Sequence, residues 1–559
     1  MPRAFCIYLL ASTAMAQIQP APPAAASSGA GGTGGTGSIE GIVSDATSHA
    51  PLRKVQVTLN GAIAVALNAV TDAGGRFAFR ELAAGSYWLG AWKPGYNPPQ
   101  AIFAAEAQSA GVVLGDGEQR KGIEIALLPG GAIGGRVVNE EGVPVRGCTV
   151  TAVQPAYEQN RRNLSGVAGG TATNDKGEYR IDNLAPGRYH VFAHCRVALP
   201  AAHPLLPRGD PRTPHETYLP QFCGGGLDPA TATRLTVVAG ASLENVDFRM
   251  TRVPAFTLRG SIAGGDAEAL ASVVNVMLLP ANRLLRSLLL SSAAADSQSR
   301  KFQIQPVIPG SYLLLAFSMH EGRVFSAQRM VEVGAAPPDP LEIPLQSGAD
   351  LKGSLQFDSD DHPPLENGQI SLAPMDGPFF VPQPRAQLDK DGAFTLTGVL
   401  PGRWRLIVSV PGFAKSVSLA GQPVSPDGFQ VGAGAAGPLR IVMGSKLADV
   451  HVEVAGAAPD RQVSAVIFPE DSDRLGAGLE RAGSAMGTGR IEFGAMPPGR
   501  YRVFAIDSPN PWPILQRPDW LKALESRSAA IDVPEGGRVS TTVETIPRDE
   551  LMRALEENP

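Results

Sequence analysis

The sequence predicts an all-β protein built as a tandem array of about five antiparallel β-sandwich domains. The main observation is a pattern that returns five times along the 559 residues. Each copy begins with two apolar residues two positions apart, and a third apolar residue follows three positions after the second. A turn that contains glycine comes next, followed by an aromatic residue and then by another apolar residue. Alternation on both sides of a turn is typical of strands with one buried face. The copies are Phe77, Phe79, Leu82, Gly85, Tyr87, Leu89; Tyr179, Ile181, Leu184, Gly187, Tyr189, Val191; Phe302, Ile304, Val307, Gly310, Tyr312, Leu314; Phe394, Leu396, Val399, Gly402, Trp404, Leu406; and Ile491, Phe493, Met496, Gly499, Tyr501, Val503.

Turn residues support the same reading. In four copies the glycine between the strands follows proline, and Pro and Gly supply the backbone angles of tight turns. Upstream, the segments 72–75, 174–177 and 389–392 each begin with Asp or Asn and end with Gly, which predicts hairpin turns. The third and fifth copies lose part of this turn.

Each unit also contains further strand candidates, which brings the total to six or seven short strands, the usual number for a sandwich. The opening pairs are 38–44 with 55–59, 133–138 with 148–153, 256–262 with 273–279, 351–357 with 369–372, and 450–454 with 463–468. Closing strands are predicted at 123–128, 235–238 and 439–443. The only helices expected are at 521–526 and 549–557.

These elements divide the chain into predicted segments. They are a signal peptide at 1–16, a flexible linker at 17–37, five β-sandwich units at 38–129, 130–253, 254–346, 347–445 and 446–547, and a tail at 548–559. The second unit is the largest because it contains a long insertion.

Units 1 and 2 resemble the carboxypeptidase regulatory-like domain family, whose fold is a transthyretin-like or prealbumin-like β-sandwich. In unit 1 the resemblance lies in Gly37–Asp45, Pro51–Leu59, Thr71–Phe79 and Lys93–Tyr96. Unit 2 repeats it at Gly135–Asn139, Gly142–Val145, Asn174–Tyr179 and Leu184–Tyr189. The stretch from Arg517-Pro-Asp-Trp-Leu521 to Ile546-Pro547 resembles the ending of long multi-unit members from bacterial envelopes. The resemblance implies a sandwich of a fold class often labelled carbohydrate-binding-like, and function has to be argued from sites.

The N-terminus predicts export. Arg3 precedes a short apolar run, and Ala14-Met15-Ala16 is a small-residue cleavage site, so cleavage is expected after Ala16. The following linker is rich in Ala, Pro, Gly, Ser and Thr and has no means of forming a core. No later stretch is apolar enough to span a membrane as a helix. We therefore expect a secreted or periplasmic protein that does not span the membrane.

The composition of the chain limits the classes of partner it can bind and the disulfides it can form. With 63 Gly and 49 Pro the chain is rich in turns, and its formal charge of −5 lacks the basic excess of a nucleic-acid-binding protein. Of the three cysteines that follow the leader, Cys195 and Cys223 bracket the insertion and are the preferred disulfide pair, with Cys148 as a buried thiol. The alternative is that all three stay reduced.

No motif for catalysis or a cofactor is present. Two Gly-x-Gly-x-x-Gly stretches lack the strand-to-helix context that phosphate binding needs, and no His-x-x-Glu or Gly-x-Ser-x-Gly sequence occurs. The histidines of unit 2 fit no zinc module, since His190 and His194 are expected on the solvated side of a strand. Asp389 and Asp391 coincide with a predicted turn rather than a calcium loop. We predict neither a catalytic site nor a metal or cofactor site.

Aromatic residues are the remaining binding candidates. Trp88, Trp92 and Tyr96 are evenly spaced, and Trp512 and Trp520 lie in the irregular part of unit 5. Exposed rings of this size form interaction surfaces, although packing against neighbouring units is the simpler role. We expect a non-catalytic envelope protein that acts as spacer, adhesion or binding scaffold, with an envelope protein as partner. The alternative is carbohydrate binding, with polysaccharide as partner, and a cryptic hydrolase ranks third.

Overall fold

The computed structural model describes residues 36–62, 66–98, 112–158, 161–195, 215–263, 272–320, 323–366, 368–375, 383–432, 437–457, 462–471, 474–475, 478–487, 489–508 and 510–557. The predicted signal peptide and all but the last two residues of the predicted linker lie outside these ranges.

Forty-two strands account for most of the described chain. Unit 1 contains β1 Gly37–Asp45, β2 Gln56–Gly61, β3 Leu67–Val70, β4 Arg76–Leu82, β5 Gly85–Trp92, β6 Tyr96–Asn97, β7 Val112–Leu114 and β8 Gln119–Pro129. Unit 2 contains β9 Gly131–Asn139, β10 Thr149–Glu158, β11 Arg161–Ala172, β12 Glu178–Leu184, β13 Gly187–His194, β14 His215–Tyr218, β15 Gln221–Phe222, β16 Arg234–Val237, β17 Ser242–Leu243 and β18 Phe248–Met250. Unit 3 contains β19 Arg252–Ala263, β20 Asn275–Pro280, β21 Ser291–Ala294, β22 Lys301–Val307, β23 Gly310–His320, β24 Arg323–Val333, β25 Leu341–Pro344 and β26 Gln346–Ser347.

The last two units continue the pattern. Unit 4 contains β27 Ala349–Phe357, β28 Gln369–Pro374, β29 Arg385–Gln387, β30 Ala393–Val399, β31 Gly402–Val408, β32 Phe413–Leu419, β33 Gln422–Val424, β34 Phe429–Val431 and β35 Leu439–Gly444. Unit 5 contains β36 Ala448–Ala455, β37 Gln462–Pro469, β38 Arg481–Met486, β39 Arg490–Met496, β40 Gly499–Ile506, β41 Ala529–Val533 and β42 Arg538–Ile546. The predicted all-β class is confirmed.

Units 1 to 4 each contain two sheets. In unit 1 the strand orders are β4-β1-β8-β6 and β3-β2-β5-β7, and in unit 4 they are β30-β27-β35-β32-β33 and β29-β28-β31-β34. In unit 2 β10 and β13 form the middle of one sheet, and in unit 3 β20, β23 and β24 do so. Unit 5 differs, because β42 pairs with both β36 and β40 and joins everything into one seven-stranded sheet.

The sheets are antiparallel except at one recurring place and in the short parallel pairing of β40 with β42 in unit 5. The closing strand runs parallel to the opening strand, as between β1 and β8, β27 and β35, and β36 and β42. The sequence pattern does not distinguish this arrangement from an antiparallel pair, because both bury alternate residues.

A β-bulge explains the three-residue step in the repeated pattern. The residue before the third apolar position has a left-handed backbone, with φ of 59° at Glu81, 59° at Asn183, 68° at Gly398 and 55° at Ala495. In unit 1 the pairing of β1 with β4 shifts register at this place. Two residues then face one on the partner strand, which returns the next apolar side chain to the buried face.

The repeated apolar residues form the cores. Phe77, Phe79, Leu82, Tyr87 and Leu89 belong to one buried cluster in unit 1, and corresponding clusters occupy the other four units. Tyr312 is only partly buried, although it packs against its core. The predicted inward face is therefore correct in every copy.

The predicted hairpin turns are closed by side-chain oxygens. Asp72 Oδ1 accepts hydrogen bonds from the backbone nitrogens of Gly74 and Arg76, at 2.9 and 2.8 Å. Asn174 and Asp389 make the same pair of bonds in their own units. Asp389 is thus a turn residue, as its position in the pattern indicated.

Helices are confined to the C-terminal region of the described chain, apart from a single 3-10 turn at Arg283–Leu285. They are α1 Trp512–Leu515, α2 Pro518–Ala523 and α3 Arg548–Glu557, and a 3-10 turn Glu525–Arg527 follows α2. The sequence predicted α3 and placed α2 about three residues late, and α1 was not expected. No helix among the described residues is long and apolar enough to cross a bilayer.

Candidate functional site

Two tryptophans are exposed on one face of unit 1. Tyr87 and Leu89 point into the core, so the alternate residues of β5, Trp88, Gly90 and Trp92, point to the other face of the sheet. Trp88 is 44% exposed and Trp92 is 63% exposed.

The neighbouring strands complete the face. Trp88 lies opposite Asn60 of β2, and Trp92 lies opposite Gln56. Between them Gly90 lies opposite Thr58, whose other neighbour is Asn68 of β3. Gly90, Thr58 and Asn68 form a row of neighbouring residues across the three strands. Since Gly90 has no side chain, this row projects less from the sheet than the rows on either side, which contain the indoles. We call this channel the Trp trough.

Hydrogen bonds order the floor of the trough. Thr58 Oγ1 donates to Asn68 Oδ1 at 2.8 Å, and Gln56 Nε2 donates to the same oxygen at 3.5 Å. Among the described residues, none accepts a hydrogen bond from the amide nitrogen of Asn68. It remains a donor at the surface.

Tyr96 does not belong to this face. It lies in β6, which pairs with β8 of the other sheet, and the Lys93 Nζ is 5.9 Å from its ring centre. Burial and the nearby charge of Asp45 raise the pKa of the Tyr96 hydroxyl. Burial alone would raise the pKa of Asp45, but hydrogen bonds from the backbone of Ser48 and Thr47, among others, lower it.

The two candidate tryptophans of unit 5 have different environments. Trp512 starts α1 and is exposed. Trp520, in α2, packs against a second apolar cluster of unit 5, and the guanidinium carbon of Arg517 lies 4.4 Å from its ring centre. Arg517 is in turn paired with Asp519 at 2.6 Å. The five aromatic candidates therefore form no common site, and only Trp88 and Trp92 share a face.

The residues at the position of Trp88 in the other units are covered. His190 and Arg405 are buried, Leu313 is half-buried, and Arg502 pairs with Glu470 at 3.2 Å. The sequence expectation for His190 was wrong. The ring of Phe222, contributed by the insertion, lies 6.0 Å from the His190 ring and helps to cover that face. Unit 1 is thus the unit that exposes a large aromatic at this position.

A model of the carboxypeptidase regulatory-like domain matches residues 38–121 and 132–204. These segments contain the turns, bulges and paired strands described above. The first two units are carboxypeptidase regulatory-like domains. The Trp trough therefore lies on the first of these domains, and the insertion with its neighbouring cysteines belongs to the second.

Several solved structures are similar in fold. The minor pilin GBS52 of Streptococcus agalactiae is 13% identical, with 39% of this chain and 97% of that chain covered and a TM-score of 0.23. A streptococcal ancillary pilin is 11% identical, with coverage of 55% and 99% and a TM-score of 0.19. The major pilin subunit BcpA of Bacillus cereus is 10% identical, with coverage of 73% and 99% and a TM-score of 0.14. No curated protein matches the sequence. These likenesses carry no functional inference.

The second carboxypeptidase regulatory-like domain contains a disulfide between Cys148 and Cys195, and Cys223 is free. The predicted pairing of Cys195 with Cys223 was wrong. Register gives the reason, because Thr149 lies opposite His194 and so brings Cys148 beside Cys195. The Cys223 nitrogen instead bonds to the Val191 oxygen, four residues away from Cys195 along β13, or roughly 13 Å.

Ligand sets for a metal are not assembled in the described part of the chain, where no three His, Cys, Asp or Glu residues cluster. Of the histidines of unit 2, His190 lies beneath Phe222, His215 is in β14, and His203 lies outside the described residues. Asp358 is engaged by Lys415 at 2.7 Å. Packing thus occupies His190, and an ion pair occupies Asp358.

Proposed function

We propose that the protein is a non-catalytic binding scaffold of the cell envelope, acting outside the cytoplasm as a multi-domain spacer or adhesion protein. One observation supports this above all. Neighbouring units share strands, apolar clusters or ion pairs, so the array holds its units in fixed relation. A chain of independent enzymes or freely linked modules does not need such junctions.

The junction of units 2 and 3 is the most extensive. Strand β14, from the insertion of unit 2, pairs with β19 of unit 3, with His215 opposite Ala255 and Tyr218 opposite Arg252. In addition, Leu285 of unit 3 is buried in one cluster with Phe222 and other apolar residues of unit 2. A shared sheet and a shared core both resist relative motion.

Units 3 and 4 also share a core. Leu315 and Val324 lie on β23 and β24 of unit 3, but they belong to the buried cluster of unit 4. The backbone nitrogen of Gly348 donates to the oxygen of Val324 at 3.2 Å. Apolar burial at this boundary stabilises the contact by roughly 25 cal/mol for each Å² removed from water.

The outer junctions are polar. Between units 4 and 5, Lys415 bridges Asp358 and Glu535 at 2.7 and 3.0 Å, and Arg474 pairs with Asp427 at 3.6 Å. Between units 1 and 2, the Asn97 side-chain nitrogen donates to the oxygen of Asn183 at 3.2 Å. These contacts orient the end units through hydrogen bonds and ion pairs, whereas the central junctions share buried apolar clusters.

Several buried titratable groups have structural partners, which supports a non-catalytic role. Asp45 accepts bonds from its own turn, and His451 lies 3.7 Å from Glu492. The pKa values of Tyr87 and Tyr189 are raised by burial, and their hydroxyls bond to turn carbonyls. Asp45 also faces the hydroxyl of Tyr96, whose pKa is raised by burial and by the Asp45 charge, whereas the hydroxyls of Tyr87 and Tyr189 face only backbone carbonyls.

The disulfide supports a location outside the cytoplasm, because disulfides persist in oxidising compartments. We infer export through the predicted signal peptide. The N-terminal sequence of the protein recovered from the periplasm or medium should start at Gln17. A protein recovered only from the cytoplasm, with Cys148 and Cys195 both reactive towards alkylating agents, would contradict this location.

The scaffold role is tested by distances across the array. Spin labels at two exposed turn positions, Asp175 in unit 2 and Asp391 in unit 4, span the two central junctions, and a Cys223→Ser background prevents labelling elsewhere. We expect one narrow distance distribution. Adding Leu285→Ala should broaden it, whereas the matched change Leu521→Ala beneath the helices of unit 5 should not. A broad distribution in the parent protein would refute the scaffold.

Carbohydrate binding by unit 1 is a second candidate function. The observation that favours it is the exposure of Trp88 and Trp92 on one sheet face, whereas Trp520 of unit 5 is engaged by packing. A pull-down on insoluble polysaccharides should retain the full chain. Retention that is lost in Trp88→Ala and kept in Trp512→Ala would assign it to unit 1, and the reverse result would assign it to unit 5.

A further inference from the structure

The face that contains the Trp trough is a docking face elsewhere in the same chain. In unit 2 the corresponding face presents Phe192 and Phe222, which are buried with Leu285 of unit 3. In unit 3 it presents Leu315, which is buried with unit 4.

Unit 5 closes the same face with its own helices. Val466 and Phe504 point away from the unit 5 core and pack in one cluster with Ile514, Leu521 and other residues of the helical region. In units 2, 3 and 5, therefore, this face is covered from within the chain. In unit 1 Trp88, Trp92 and also Val113 of β7 are exposed there.

The chemistry of the unit 1 face differs from that of the covered faces. Its centre consists of Gly90, Thr58 and Asn68, and amide groups of Asn60 and Gln56 lie opposite the two indoles. None of the residues of β2, β3 and β5 that point to this face is charged. The faces that pack against other parts of this chain instead present large apolar side chains at their centre, such as Phe192, Leu315 and Phe504.

We propose that the Trp trough binds an uncharged polysaccharide, a step that rests on the proposed role of the array as a binding scaffold. The saccharide chain crosses the strands over Gly90, Thr58 and Asn68, and the indoles of Trp88 and Trp92 stack on its apolar ring faces. The amide nitrogen of Asn68 donates a hydrogen bond to a ring hydroxyl.

The dimensions fit a chain rather than a single sugar. Trp88 and Trp92 are four residues apart along β5, or roughly 13 Å, and the floor crosses three strands, or roughly 10 Å. Asn68, at one end of the floor, is exposed, and Gly90, at the other end, is half-buried, so a polymer can extend beyond the floor at Asn68. Amides and hydroxyls without net charge select neutral sugars, because an anionic chain would have no cation to pair with on these strands.

Glycine at position 90 provides a sharp test. Its φ is not in the left-handed region, and a Cβ added there meets only the Thr58 oxygen, at 4.0 Å. Gly90→Val therefore fills the trough without straining the strand, where a β-branched residue is favoured. The same variant leaves both indoles in place, so it separates the shape of the trough from the presence of tryptophan.

The experiment uses the full chain in binding assays with soluble β-1,4-glucan, galactomannan and starch oligosaccharides, and with alginate and heparin as anionic probes. We expect binding to at least one uncharged probe and at least tenfold weaker binding to both anionic ones. Trp88→Ala, Trp92→Ala and Gly90→Val should each weaken binding about tenfold or more, as for aromatic hot spots. Ile42→Ala, on the other sheet of unit 1, and Trp512→Ala should leave it unchanged.

Three outcomes overturn the proposal: no binding to any uncharged probe, equal binding by Gly90→Val, or preference for the anionic probes. Self-association of the chain that Trp88→Ala abolishes would assign the face to a second copy and would also overturn it. The scaffold role is judged separately, since the distance between labels at Asp175 and Asp391 does not depend on this face.

Discussion

The hydroxyl of Tyr189 donates a 2.6 Å hydrogen bond to the backbone oxygen of Ala185, four residues earlier. Tyr87 and Tyr312 make the same bond to Ala83 and Ile308. In unit 4 the indole nitrogen of Trp404 donates to Leu400 in the same way. In units 1 to 4 the aromatic of the repeated pattern thus both packs on the core and closes the turn that precedes it, whereas in unit 5 the buried hydroxyl of Tyr501 has no hydrogen-bond partner among the described residues.

Tyr189→Phe should lower the stability of unit 2 by about 1 kcal/mol, because the ring is kept while the Ala185 carbonyl loses its partner. Tyr189→Ala should cost about 3–5 kcal/mol, because it also removes buried ring volume. Hydrogen exchange on β12 and β13 measures both, since a multi-domain chain has no single unfolding free energy. Exchange in unit 4 should not change, and equal protection in all three proteins would show that the ring is not core.

Alkaline pH should destabilise unit 2 through the same residue. Burial raises the pKa of Tyr189 to about 12, from a usual value of 10.0. Because the pKa is raised, the contribution of Tyr189 to the stability of unit 2 is complete below pH 10 and is lost as pH rises through 12, since the hydroxyl ionises at lower pH in the unfolded chain. Protection of β13 should fall across this range in the parent protein, and Tyr189→Phe should have a flatter profile. The same slope in both proteins would exclude Tyr189 as its source.

The ion pairs of Lys415 should make the junction of units 4 and 5 sensitive to pH and salt. The hydrogen bond from Lys415 lowers the pKa of Asp358 below 3.8, and the same bond, with that to Glu535, raises the pKa of Lys415 above 10.5. The stabilisation contributed by Asp358 is therefore present above its usual pKa and lost as pH falls through the lowered one. That of Lys415 is present below 10.5 and lost as pH rises through the raised value.

Spin labels at Asp391 and Asp532 report on this junction. The distance distribution should be narrow near neutral pH and should broaden in acid and at extreme alkaline pH. It should also broaden as salt rises from about 0.01 M to about 1 M, because the Debye screening length falls from roughly 30 to roughly 3 Å. Lys415→Ala should give the broad distribution throughout. Lys390→Ala, on an exposed turn of the same unit, is the control and should behave like the parent protein.

Removal of the disulfide should destabilise unit 2. The bond closes a sequence separation of 47 residues, for which the chain-entropy relation gives roughly 4 kcal/mol. Replacing Cys148 and Cys195 together by Ser should increase hydrogen exchange throughout the second unit, and Cys223→Ser should have little effect. If Cys223→Ser were the more damaging change, the pairing in solution would differ from that described.

Two turn glycines should respond differently to substitution. Gly402 has a φ of 155°, whereas Gly187 has no left-handed φ. Gly402→Ala should cost about 1–3 kcal/mol through backbone strain. At Gly187 an added Cβ is too close to the end of the Gln154 side chain, at 2.7 Å, which can move, and it makes ordinary contact with the Tyr189 ring at 3.7 Å, so Gly187→Ala should cost less. Similar losses in local exchange protection at both sites would contradict the backbone explanation.

Sequence reasoning identified what is local. The inward face of Phe77 and Tyr87 follows from alternation, and the Asp72 and Asn174 turns follow from residue type, so both could be predicted. The pairing of Cys148 with Cys195 could not, because it depends on the register of β10 against β13. The burial of His190 likewise depends on Phe222, which the chain brings back after the insertion.

At the candidate site, too, local features could be predicted from the sequence and long-range contacts could not. Spacing placed Trp88 and Trp92 on one face, but it also included Tyr96, because the sequence does not show that the chain leaves β5 and joins the other sheet. Exposure could not be read from spacing either. It depends on which faces are covered by later units, and those contacts join residues far apart in sequence, such as Leu285 and Phe222.

The pairing of β14 from unit 2 with β19 of unit 3 determines where the chain can be cut into stable fragments. A fragment that ends at the boundary near residue 253 would leave β14 without its partner, and one that begins there would present the edge of β19 with unpaired backbone groups, which invites aggregation. Units 2 and 3 should therefore be inherited, exchanged and expressed together. Recombination that inserts or deletes modules is expected to spare this boundary and to act at the polar junctions between units 1 and 2 and between units 4 and 5.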